Sequence, residues 1–147
     1  GNMICYWKNP EATKECMSDD GWFRSGDLGK FEGPFLYILD RVKDIVIRGG
    51  ENIACPEVEG AIYEHEDILE ACVFGIPDER LGEILCAAIY LREESKLSID
   101  ELQSFLSTKL AAFKIPVNIK FYKNNLPRVG SGKFDKPNLR EQFLENL

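Results

Sequence analysis

Asp44-Ile45-Val46-Ile47-Arg48-Gly49-Gly50, followed by Pro56-Glu57-Val58, decides the fold of this 147-residue chain. The β-branched run between Asp44 and Arg48 reads as a strand. Gly49-Gly50 closes it, because adjacent residues free to take positive φ are what a tight hairpin turn needs. Pro56 then opens a helix, with Val58, Ala61, Ile62 and His65 at i, i+3, i+4 and i+7. Upstream, Phe35–Leu39 reads as a strand running into Asp40-Arg41. Everything before about residue 33 reads as loop, with a turn-to-helix signal at Asn9-Pro10 and Gly26, Gly29 and Gly33 keeping it irregular.

Downstream, strands are predicted over Ala71–Ile76 and Ile84–Leu91, separated by a turn around Pro77-Asp78 and Gly82. Ser98 and Glu101 form a capping box before a helix whose apolar stripe is Leu102, Phe105, Leu106 and Leu110. Pro116 ends that region, and Ile119–Lys123 alternates as a half-buried strand. Gly130-Ser131-Gly132 precedes a last helix carrying Leu139, Phe143, Leu144 and Leu147 on one side. This order predicts an α+β chain: a small two-layer sandwich, a short mixed sheet with helices packed on it, preceded by a hairpin.

Composition narrows the function classes. Hydrophobic residues are 44% and charged residues 29% of the chain, the balance of a globular domain rather than a disordered tail. A formal charge of −7 argues against a nucleic-acid surface, since phosphate binding needs a basic face. No apolar run approaches the ~20 residues of a membrane-spanning helix. Gly1–Asn9 does not read as a secretory leader. The five cysteines, Cys5, Cys16, Cys55, Cys72 and Cys86, form no CxxC pair. That pattern suits a reducing compartment, so the expected location is cytoplasmic. His65 is the only histidine, which excludes a His-rich metal centre.

Four segments carry chemistry. In Gly21-Trp22-Phe23-Arg24-Ser25-Gly26-Asp27-Leu28-Gly29, a carboxylate between glycines can accept hydrogen bonds from a sugar diol, or simply cap a surface turn. Asp40-Arg41-Val42-Lys43-Asp44 reads as a solvated, alternately charged strand edge. The Gly49-Gly50 turn allows close approach of a ligand or another domain. Leu126-Pro127-Arg128-Val129-Gly130-Ser131-Gly132-Lys133 ends in Gly-Lys, yet it is no P-loop. Pro127 stands where that pattern needs glycine, and Phe134 where it needs Ser or Thr. What remains is a lysine on a flexible glycine arm, able to reach an anion outside its own domain.

In this order and spacing the segments resemble the C-terminal part of the adenylate-forming superfamily: acyl-CoA synthetases, luciferases and peptide-synthetase adenylation domains. Gly21–Gly29 is similar to the family's Gly-Trp-x-x-Thr-Gly-Asp, with Ser25 in the Thr place. Asp40–Asp44 resembles its Asp-Arg-x-Lys-Asp hinge motif, and Gly49–Ile53 its glycine loop. Phe113-Lys114-Ile115-Pro116 resembles Tyr-Lys-x-Pro. Pro127–Lys133 resembles Pro-[Lys/Arg]-x-x-Ser-Gly-Lys, with Val129 where Thr is commoner. The Gly-Gly-Glu-Asn-Ile form, followed by Pro56-Glu57-Val58-Glu59, is closer to acyl-CoA synthetases, including those of fatty acid metabolism.

The resemblance implies an ATP-dependent acid–CoA ligase acting on a carboxylic acid, ATP, CoA and Mg. Residues 1–39 would be the tail of the N-terminal AMP-binding domain, and 40–147 the mobile C-terminal domain. Lys133 would be the adenylation lysine, Asp27 and Arg41 nucleotide contacts, and Asp40 the hinge. Gly49 and Gly50 would line the pantetheine path after rotation. The Mg site, the phosphate loop and the acyl pocket would lie in the rest of the N-terminal domain, so the isolated chain is expected to be inactive. The alternative is a stand-alone binding or regulatory module of the same fold, and sequence upstream of Met3 separates the two.

Overall fold

A computed structural model describes residues 3–145. Contacts divide the chain into two units, Gly1–Lys43 and Asp44–Leu147. The first contains α1 (Pro10–Cys16), β1 (Asp27–Glu32) and β2 (Phe35–Arg41). The second contains β3 (Val46–Arg48), β4 (Glu51–Ile53), α2 (Cys55–Tyr63), β5 (Ile68–Asp78), β6 (Gly82–Leu91), α3 (Ile99–Ser107), β7 (Asn118–Tyr122) and α4 (Lys136–Leu144). A short 3-10 turn, Val42–Asp44, spans the boundary.

The first unit is more regular than its glycines suggest. Asn9 caps α1 by accepting the Ala12 N–H at 3.1 Å. β1 pairs antiparallel with β2, with a register shift at Leu28/Gly29. Gly29 therefore sits in a strand and not in a loop. A Cβ there would lie 2.9 Å from Leu36 Cδ1 and 3.1 Å from the Tyr37 carbonyl, so the glycine marks close strand approach rather than irregularity. Among the described residues of this unit none is buried. Phe31 is 75% and Trp22 73% exposed. A lone two-stranded hairpin of this kind has no core of its own.

The second unit holds the core. Its sheet runs β4-β3-β6-β5, with β7 parallel to β6. Gly49 and Gly50 form the two-residue β3–β4 turn with φ of 59° and 89°. Alternate residues of a strand point to opposite faces, and all of Ala71, Cys72, Val73, Phe74 and Ile76 are buried. Both faces are therefore covered. On one, Val73, Leu85, Ala87 and Ile89 meet Val58 and Ile62 of α2 and Leu102 and Leu106 of α3. On the other, Phe74, Ile76 and Cys86 meet Leu139 and Phe143 of α4. The α+β class and the mixed sheet are as the sequence predicts; α4 adds a cover on the second face.

The helical stripes hold with three exceptions. Leu110 falls beyond α3 and packs half-buried against the core. His65 falls beyond α2 and meets the Phe105 ring edge-on at 5.1 Å between centroids. Leu144 is half exposed, because five residues from Leu139 is about 140° round a 3.6-residue helix. Leu147 lies outside the described residues. The Ser98–Glu101 capping box forms in full, with both reciprocal bonds present. β5 is an edge strand, and side chains satisfy several of its outward groups. The Ala71 N–H donates to Tyr63 Oη at 2.9 Å and the Val73 N–H to Glu59 Oε1 at 2.8 Å. Arg140 Nε donates to the Gly75 carbonyl at 3.1 Å. These bonds remove the template that a bare edge offers to a second chain.

Candidate functional site

Lys133 stands on a built turn. The sequence suggests a flexible glycine arm, but residues 127–135 close on themselves. Arg128 and Phe134 form an antiparallel bridge. The Val129 N–H donates to the Lys133 carbonyl at 2.9 Å, Gly132 N–H to Val129 O at 2.8 Å, and Asp135 N–H to Pro127 O at 2.8 Å. Gly132 has φ of 83°, the backbone state that lets the turn fold back without Cβ strain. Arg128 Nη1 donates to the Gly132 carbonyl at 2.6 Å, and its guanidinium lies 4.3 Å over the Phe134 ring. Lys133 itself is exposed, and its ammonium makes no bond to any described residue. The arrangement presents the Lys133 cation to solvent from a turn closed by hydrogen bonds.

One carboxylate ties this turn to the sheet. Glu70 Oε1 accepts from Arg128 Nη2 at 2.7 Å, and Oε2 from the Leu126 N–H at 2.7 Å. Burial pushes the Glu70 carboxyl up, but the Arg128 and Leu126 hydrogen bonds and the Arg128 charge outweigh it, leaving its pKa below the ordinary value.

The Gly49-Gly50 tip sits elsewhere on the same unit. The Gly49 N–H donates to the Leu81 carbonyl at 2.8 Å, and nothing approaches within 4 Å of a Cβ built on Gly50. Behind the tip, Arg48 Nη1 donates to the Phe113 carbonyl at 2.7 Å, and Lys114 pairs with Glu57 at 2.5 Å. The tip is anchored beside Gly82, which pairs with Asp78, whereas the Lys133 turn is anchored at Glu70, which pairs with Tyr90. The eight-residue step from Glu70 to Asp78 along β5 is on the order of 26 Å at about 3.3 Å per residue. The structure therefore does not bring these two features together; they occupy opposite ends of the sheet.

In the first unit the structure does join two expected residues. Asp27 and Arg41 are register partners across β1–β2, and Arg41 Nε lies 3.1 Å from Asp27 Oδ1. As a partly exposed pair it contributes about 0–1 kcal/mol to stability, so its geometry matters more than its energy. Beside it is a groove of about 400 Å³ lined by Tyr6, Cys16, Phe23, Arg24, Arg41 and Lys43 among others. Arg24 and Lys43 were not singled out from the sequence, although both lie inside motifs that were. Asp40 lies near the end of β2, opposite Leu28, four residues before the second unit begins at Asp44. Among the described residues no cluster of His, Cys, Asp or Glu is placed to hold a metal ion.

Comparison with known proteins gives this geometry a family. The sequence model for the AMP-binding enzyme C-terminal domain matches residues 57–133, just over half of the chain and ending on Lys133. The chain belongs to this family. Medium-chain acyl-CoA ligase ACSF2, mitochondrial, of Danio rerio is 40% identical over 147 residues, 99% of this chain and 24% of that protein. Feruloyl-CoA synthase of Amycolatopsis sp is 41% identical over 142 residues, 96% of this chain and 28% of that protein. ATP-bound MatB from Rhodopseudomonas palustris superposes with a TM-score of 0.87 at 35% identity, covering 95% of this chain and 28% of MatB. Apo MatB, with the same coverage, gives 0.70 at 36% identity. This AMP-binding C-terminal chain spans about a quarter of the length of the curated relatives it matches. No described helix is long and apolar enough to cross a membrane.

Proposed function

We propose that the chain is the C-terminal part of an ATP-dependent acid–CoA ligase, in which it supplies Lys133 to acyl-adenylate formation and the Gly49-Gly50 tip to thioester formation. The observation that carries this reading is the unpartnered Lys133 ammonium on a turn closed by the Val129–Lys133, Val129–Gly132, Pro127–Asp135 and Arg128–Gly132 hydrogen bonds. A cation held in that way costs no reorganisation when negative charge develops opposite it. In the first half-reaction a substrate carboxylate oxygen attacks the α-phosphorus of Mg-ATP, the α–β phosphoanhydride bond breaks, and pyrophosphate leaves. Lys133 stabilises the charge between the carboxylate and the α-phosphate. Asp27 accepts hydrogen bonds from the ribose hydroxyls, and Arg41, fixed by Asp27, supports the nucleotide. In the second half-reaction the CoA thiolate sulfur attacks the acyl carbonyl carbon, and AMP leaves with the bonding pair.

The two ends of the sheet are too far apart for one fixed placement to serve both steps. Reorientation about Asp40 lets one unit offer first the Lys133 turn and then the glycine tip. The unequal match to ATP-bound and apo MatB supports such mobility, since one segment of that protein takes two shapes. We place residues 1–39 with the upstream AMP-binding domain, because no residue among them that is described is buried. The Mg site, the phosphate loop and the acyl pocket belong to that domain, which therefore selects the acid. Five cysteines, none of them in a disulfide among the described residues, support a reducing compartment such as the cytoplasm. The test is Lys133→Ala in the full-length ligase. Pyrophosphate exchange should fall by about 100-fold or more, while thioester formation from pre-made acyl-adenylate stays near normal. Equal loss in both steps would reduce Lys133 to a structural role.

A further inference from the structure

We propose that Glu70 is the positioning residue of the Lys133 turn, clamping its entrance directly and its tip through Arg128. The inference rests on the reading of Lys133 as the adenylation cation. Glu70 lies on β5 just past a register shift at Ile68/Glu70, an irregularity of the kind that re-aims a side chain. Its side chain is only 13% exposed. One carboxylate there collects three donors from a segment more than fifty residues downstream: Arg128 Nη2 at 2.7 Å, the Leu126 N–H at 2.7 Å and Asn125 Nδ2 at 3.4 Å. Arg128 passes the constraint on, because its other nitrogen holds the Gly132 carbonyl at 2.6 Å, immediately before Lys133.

The remaining hydrogen bonds of residues 125–134 that join described residues are internal to the turn or lead to Asp135. Those that reach the sheet all end on Glu70. Phe134 adds an apolar anchor, since it packs against the core under α4 and stacks below the Arg128 guanidinium. Glu70 fixes the loop that carries Lys133. Displacing a catalytic group by about 1 Å costs on the order of 100-fold in rate, so a clamp at the base of Lys133 acts on the chemistry without touching substrate.

Glu70→Gln in the full-length ligase keeps an acceptor for the Leu126 N–H but removes the charge that holds Arg128. Pyrophosphate exchange is expected to fall about 10- to 100-fold, while thioester formation from pre-made acyl-adenylate changes less than about twofold. Amide exchange should rise in peptide 126–135 and stay unchanged in β5 and β6. Arg128→Gln should reproduce the same split, and the double variant should be no worse than the worse single one. Should Glu70→Gln fail to fold, Arg128→Gln alone decides the matter, because its side chain is largely at the surface. Equal loss in both half-reactions, or unchanged adenylation, overturns the proposal. Lys133→Ala measured alongside separates the causes. If it spares adenylation, the reading of Lys133 has failed; if it abolishes adenylation while Glu70→Gln shows no split, the clamp alone is wrong.

Discussion

At the scale of single residues, charge is placed by what surrounds it. Glu70 is mostly buried yet held ionised, because Arg128 and the Leu126 N–H favour its charged form more than burial opposes it. Its folded pKa lies below the ordinary 4.5, so its stabilising contribution is complete above about 4.5 and is lost as pH falls through the lower folded value. Glu101, lowered by its Ser98 hydrogen bonds, weakens in the same window. Urea unfolding from pH 6 down to pH 3 should therefore show Glu70→Gln destabilised at pH 6 and the gap to the parent chain narrowing as pH falls below 4.5; a gap independent of pH would contradict the ion-pair account. The thiols divide in the same physical way. Burial pushes Cys72 and Cys86 up to about 12, and a thiol without thiolate is a poor nucleophile. At pH 8 an alkylating reagent should label exposed Cys5 and half-buried Cys16, leaving Cys72 and Cys86 unmodified until the chain unfolds. Rapid labelling of Cys72 in folded protein would show that the sheet opens locally.

At the scale of elements, the β3–β4 hairpin and the edge of β5 show what a sequence displays and what it hides. Gly49-Gly50 was legible because only a two-residue turn with both φ positive satisfies that spacing, and φ of 59° and 89° meets it. The capping box of α3 was legible for the same reason: a local bond leaves a local signature. The Lys133 motif was legible as a pattern, but its tie to the sheet was not, since that tie is made by Glu70, more than fifty residues away. Glu70 itself carries no local mark, being one polar residue in an apolar strand. The edge cover by Tyr63 and Glu59 is hidden likewise, because it depends on where α2 lies. Tyr63→Phe should cost about 1–3 kcal/mol, the penalty for stranding the Ala71 N–H, measured as a shift in the denaturation midpoint. No shift would mean that water replaces the hydroxyl. Gly75 is a second test of packing: a Cβ there would lie 3.1 Å from both Val46 methyls and 2.9 Å from Glu83 Oε1. Gly75→Ala should therefore destabilise by about 1–3 kcal/mol through overpacking, and a neutral result would show that Val46 can shift.

At the scale of the whole molecule, the contrast lies between a unit with a two-faced core and a unit without one. Residues 44–147 bury side chains on both sides of the sheet, whereas no described residue before Asp44 is buried. In the isolated chain, amide exchange over β1 and β2 should be fast and that over β5 and β6 slow. Comparable protection in both would mean that the first unit is stable by itself and not borrowed from a larger domain. The central claim is that opposite ends of one sheet serve successive half-reactions. Crossed transient kinetics on the full-length ligase test it most directly, with Lys133→Ala set against Gly50→Val. Valine at Gly50 forces a β-branched residue into positive φ, at about 1–2 kcal/mol, and fills the open tip. The account predicts opposite defects: Lys133→Ala loses pyrophosphate exchange and keeps thioester formation from pre-made acyl-adenylate, while Gly50→Val does the reverse. The same pattern of loss in both variants would contradict it.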